Sequence, residues 1–302
     1  APLAADGLPD YEAALLAGYG PAPPPDENAV ALLLETCRPF GANHAAQLAA
    51  ICRAIGISDV PPAEPLVLDP RKDAAAGIDD AMLDTAGEWP WTAEQLPAVA
   101  AWLTQHEARI DRLVAAADRP RYWLPSPSLV DGRPEMMVTA LLPDLSGLRE
   151  VARVLGYRAR WHIGENRPAA AWRDILAIRR LARLYAPPDR GPQFWMTQLV
   201  AIAVDATADA ATRQVLAMPD LPAGVLAAIR RDLERLGPSV AMADGVAGER
   251  LVGVDAAVWL ARRIPGGRRE RMKLVGEFLT GSGDLALLTS LDWNLILELL
   301  NG

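Results

Sequence analysis

Lysine is nearly missing from this 302-residue chain: Lys72 and Lys273 are its two examples, against 28 arginines. Beside 26 prolines, 23 glycines and an alanine-rich background, that imbalance reads as the codon usage of a GC-rich genome. The arginine count is therefore no sign of phosphate binding. Cysteine is as scarce, and Cys37 and Cys52 are too few for a disulfide framework and match no zinc spacing. With three phenylalanines, few β-branched runs and no window longer than six residues alternating at period two, an all-β fold is not expected. No stretch holds 18 uncharged apolar residues. The best, Phe194 to Met218, is interrupted by Asp205, Asp209 and Arg213, so no membrane span is expected.

Catalytic signatures are missing too. His44, His106 and His162 fall on separate segments, with no two sharing a helical turn, so no metal site is expected. There is no Gly-x-Ser-x-Gly, no cysteine beside a histidine at a helix start and no glycine-rich phosphate loop. Gly281-Ser282-Gly283-Asp284 lacks a preceding strand and a following lysine, and reads as a turn with Asp284 as cap. Asp79 and Asp80 are adjacent and so diverge, unlike a glycosidase pair. No cofactor is expected, and the balance tips toward a protein that is not an enzyme. A net charge of −8 argues against nucleic acid as partner.

What the chain does contain is helix-forming residues. It is 51% hydrophobic, mostly alanine and leucine, set among arginine and glutamate over long glycine-free windows. Expected helices cover about 8–17, a second from an Asp26 cap to about Cys37, and a third from an Asn43 cap over 44–55, closed by Gly56. Pro21 to Pro25 form a stiff connector. Residues 57–90 carry Pro61, Pro62, Pro65, Pro70, Gly77 and Gly87 and no long amphipathic period, which makes them an irregular segment and the best boundary. Thr92 with Gln95 starts one long helix ending near Ala117. A second irregular segment follows over 119–134. Then come helices over about 135–163, with Pro143 as a break, and over 168–185, 192–218, 222–236, 239–263, 270–280 and 292–300. The short links imply antiparallel neighbours, hence an all-α bundle or α-solenoid with an acidic amino-terminal region, 1–91, and a main helical array, 92–302.

The hairpin 146–185 resembles a tetratricopeptide unit. Leu148, Leu155, Gly156, Tyr157 and Ala159 fit the first helix, Gly164-Glu165-Asn166-Arg167 the turn, and Ala169-Ala170-Ala171-Trp172 the opening of the second. Small residues let the helices approach while Leu155, Trp172 and Ile175 fill the seam. The resemblance implies a protein-binding scaffold.

Two groups of residues are candidate sites. Residues 1–100 carry 15 acidic and 4 basic side chains, whereas 149–190 carry ten arginines. The acidic third can neutralise the arginine band in cis. Read instead as a partner site, the band is Arg158, Arg160, Arg173, Arg179, Arg180 and Arg183, with Arg173, Arg180 and Arg183 spaced to share a face. The alternative is a pocket of Trp89, Trp91, His106, Glu107, Tyr122 and Trp123, assembled from 57–91 and 119–134 against the long helices. The aromatics of those segments can equally be plugs that dock loops on helices. The first reading is a helical scaffold or structural subunit working through protein–protein contacts or self-assembly; an enzyme or small-molecule binder is the alternative. The opening Ala-Pro-Leu-Ala-Ala-Asp-Gly resembles the start left by signal-peptide cleavage and leans the localisation to the periplasm or outside, with the cytoplasm as alternative.

Overall fold

The computed structural model describes residues 20–37, 45–57, 68–124, 147–187, 195–239 and 241–246, with six further positions before residue 20. Most of the described residues are helical, and none lies in a sheet; an isolated bridge joins Asn28 to Arg121. The helices are α1 (Ala29–Cys37), α2 (Ala45–Ala54), α3 (Asp80–Glu88), α4 (Pro97–Gln105), α5 (Glu107–Ala117), α6 (Gly147–Gly164), α7 (Pro168–Tyr185), α8 (Trp195–Leu216) and α9 (Ala223–Leu236). This is the expected all-α architecture. Among the described residues no helix is long and apolar enough to cross a membrane.

Several of the amino-terminal acids act as caps. Asp69 and Asp73 each accept from a backbone N–H at the start of a 3-10 turn, and the Asp79 carboxylate accepts from Met82 N at 2.8 Å to start α3. The expected irregular segment 57–90 thus contains a helix and two 3-10 turns in its described part, because aspartates replace the missing apolar period as start signals. The cap of α1 is Asn28 and not Asp26, which lies in a 3-10 turn over Pro25–Glu27. Fully buried Asn28 accepts from Val30 N and Trp123 N and donates to Trp123 O, so it also pins 121–124 to α1.

The long helix expected from Thr92 to Ala117 is two helices. Gln95 does close a capping box on Thr92 N at 2.9 Å, but Pro97 opens α4. At His106 the backbone turns to φ −101° and ψ 10° while the ring stacks on Trp102 and meets the Trp102 carbonyl. Residues 168–185 and 222–236 are helical within a residue of expectation, and 192–218 within three. A 3-10 turn at Met242–Gly245 occupies the start of the expected helix 239–263, whose part from residue 247 on, like the expected helices 270–280 and 292–300, lies outside the described residues. So do most of helix 8–17, residues 125–146, the cap Asn43, His44 and the Gly281–Asp284 turn.

α6, α7 and α8 pack against one another, with α5 and α9 on α7, α3 on α6 and α1 on α5. The main core joins Leu103, Ile110, Leu113, Leu155, Trp172, Ile175, Ile178 and Leu181, among others. A smaller cluster links Val30 and Leu34 of α1 to Ile51 and Ile55 of α2 and to Trp123. Gly156 lies at the α6–α8 approach, where a Cβ would meet Thr207 Cγ2 tightly, at 3.2 Å. Cys37 and Cys52 are buried and not joined in a disulfide.

Candidate functional site

The arginine band meets carboxylates of its own chain at five of its six members. Arg158, 2% exposed, donates from Nε and Nη2 to the two oxygens of Asp174 at 2.8 and 2.7 Å, and from Nη1 to Asp111 at 2.8 Å. Arg173 reaches the same Asp111 oxygen at 2.8 Å. Further along α7, Arg179 donates to Asp205, Asp209 and Thr212 of α8, and Arg183 to Asp205 at 2.7 Å. Arg180 pairs with Asp118 at the end of α5.

The band is therefore not one face. Arg173 and Arg180 lie toward α5, and Arg179 and Arg183 toward α8. Internal neutralisation occurs, but its acids are Asp111, Asp118, Asp174, Asp205 and Asp209, none of them in the acidic first hundred residues. A helix places residues 179 and 183 on one side and 173 and 180 on another, and charge spacing alone cannot say which side meets a carboxylate.

Electrostatics follow from this burial. Burial alone would lower the Arg158 guanidinium, but its bonds to Asp174 and Asp111 outweigh that and hold it charged. Burial pushes the Asp174 carboxyl up, opposed by those same Arg158 bonds. His162, whose Nε2 lies 3.8 Å from Asp174, is pushed down to about 4, by burial first and then by Arg167, Arg158 and Arg173. A histidine near a helix carboxyl terminus reads from sequence as a favoured cation. Here it is neutral at neutral pH because three guanidiniums and the core surround it.

Arg160 is the exception. Though 3% exposed, it meets no carboxylate among the described residues; Nη1 donates to Gly156 O of its own helix at 3.2 Å, and burial lowers it. Its carbonyl accepts from Trp91 N at 3.4 Å, where residues 88–93 cross the end of α6. Trp91 is buried and stacks on Trp161 with centroids 5.9 Å apart, Arg167 lies 4.8 Å from the Trp161 ring centroid, and Ala93 N donates to Glu165 at 2.8 Å. Gly164 is obligatory, because a Cβ there would run into the Trp91 backbone.

The six residues of the alternative pocket are dispersed. Trp91 packs on Trp161, whereas Trp89 beside it is 65% exposed. His106 stacks on Trp102, with Glu107 opening α5. Tyr122 meets Tyr185 edge-on, and Trp123 joins the small cluster. Each aromatic except Trp89 docks a connection onto a helix. Among the described residues no three His, Cys, Asp or Glu side chains gather as a metal site.

Four partners in this arrangement escaped sequence reasoning, Asn28, Asp111, Asp118 and Asp174, while Glu165 and Arg167 read from sequence as turn residues alone. One signal was available, since Asp205, Asp209 and Thr212 recur at helical spacing inside an otherwise apolar stretch. Compared with known proteins, the chain matches no protein-family model, no curated protein and no solved structure.

Proposed function

We propose that the chain is a non-enzymatic helical scaffold or structural subunit that acts through protein–protein contacts, self-association included. The observation that carries this reading is an apolar surface at the start of α8. Trp195, Met196 and Leu199 are 44–47% exposed there, and the Met242–Gly245 turn, which packs against α8, adds exposed Met242 and Val246. Large apolar side chains clustered on a surface mark contact sites more often than chance. The α6–α7 hairpin, with α8 laid against both of its helices, supports a tetratricopeptide-like role for this part of the chain.

The test compares wild type with Met196→Glu/Leu199→Glu in the full chain, by light scattering and by cross-linking in the native source. Wild type is expected to associate with itself or with a defined protein, and the variant to lose that association at unchanged helix content. Identical behaviour of the two forms overturns the proposal.

A further inference from the structure

α8 is apolar on two faces. Val200, Val204, Ala208, Ala211 and Val215 enter the core. Met196 and Leu199, 44% and 47% exposed, begin a second face that runs through exposed Ala203 and Ala206 to half-buried Ala210, at alternating spacings of three and four, and carries no charge before Arg213. A helix apolar all round belongs where it is covered all round. The described residues leave this second face open.

The chain itself brings a cover to the place. The Met242–Gly245 turn packs against α8 so closely that a Cβ on Gly245 would run into the ring and backbone of Trp195, and exposed Val246 follows. Past that point the sequence sets Ala247, Leu251, Val254, Val258 and Ala261 at the same alternating spacing. A helix entering beside Trp195 starts within a turn of Met196 and Leu199. Run parallel to α8, it sets Leu251 against Ala203, Val254 against Ala206 and Val258 against Ala210, a large residue against a small one at each level. Run the other way, it leaves α8 behind at once. The parallel register also brings Arg262 toward Asp209, whose side chain is 53% exposed. A second copy of α8 offers no comparable row of large residues, since three of the five positions are alanine.

We propose that residues 247–261 pack as a helix along this second face, parallel to α8, and are its resident cover. The inference rests on the partner reading above only in that a partner reaching Met196 and Leu199 must first displace this segment.

The test joins pairs of introduced cysteines with a short bis-maleimide in the full chain and maps the bridges by mass spectrometry, the native Cys37 and Cys52 being buried. Arg213→Cys with Ala261→Cys is expected to bridge within one chain. Arg213→Cys with Ala247→Cys is not, because residue 247 stands about 21 Å from 261 along a helix. Adding Val254→Glu and Val258→Glu is expected to abolish the first bridge at unchanged helix content. Four results overturn the proposal: no bridge, a bridge between two chains, equal bridging at 247 and 261, or a bridge indifferent to the glutamates. Should the glutamate variant lose helix content, Val254→Ala with Val258→Ala takes its place, and an undiminished bridge there overturns the proposal as well. Residues 213 and 261 lie at the far end of α8 from Met196, so failure of this bridge and failure of the association test above are separate results.

Discussion

Trp172 shows what one side chain does here. Its ring is 4% exposed within the main core, and its Nε1 donates to Asp232 of α9 at 3.0 Å, so it serves both the α6–α7 seam and the docking of a third helix. Trp172→Ala should cost roughly 3–5 kcal/mol in denaturant unfolding, the range for emptying a large aromatic site; a loss below about 1 kcal/mol would show a loosely packed seam. Gly164→Ala is the opposite experiment, adding one methyl where the Trp91 backbone already lies. About 1–3 kcal/mol of overpacking is expected, with a red-shifted tryptophan spectrum as Trp91 leaves its site. An unchanged spectrum at unchanged stability would contradict the close approach.

At the level of elements, α7 is fastened to its neighbours by charge as well as by apolar contact. Arg158→Met leaves the fully buried Asp174 without its bidentate partner and should cost about 3–5 kcal/mol. Arg158→Met with Asp174→Leu should recover most of that loss, because an apolar pair of similar volume needs no desolvation of ions; a double variant as unstable as the single one would argue against this. Depth sets a second contrast. The Arg180–Asp118 pair is exposed on both sides, so Arg180→Gln should cost about 0–1 kcal/mol, whereas Arg179→Gln, at a 7% exposed side chain with three acceptors, should cost more. Equal losses in thermal melts would refute the ranking.

The same elements show what was legible beforehand. Residues 168–185 are bounded by proline and carry a clear amphipathic period, so their helix could be read almost to the residue. The break at His106 could not be, because it depends on a ring meeting Trp102 and on no proline or glycine. The arginine band was visible as composition, but its partners lie 16 to 62 residues away along the chain, and that is tertiary information. Trp91 as a plug followed from an aromatic in a proline-bearing loop; the α6 surface it covers did not.

For the molecule as a whole, helix should dominate the far-ultraviolet circular dichroism spectrum and exceed half of all residues, and a strand-dominated spectrum would sink that expectation. Most contacts among α6, α7 and α8 join consecutive helices, so that layer can assemble from neighbours in the chain. The Ala93–Glu165 bond joins residues 72 apart. Closing so long a loop confers nothing until the end of α6 exists to receive Trp91. In time-resolved refolding, the ellipticity of α6–α8 should therefore recover first and the quenching of Trp91 against Trp161 last, so that every newly made chain passes through a helical state in which those two indoles still face water.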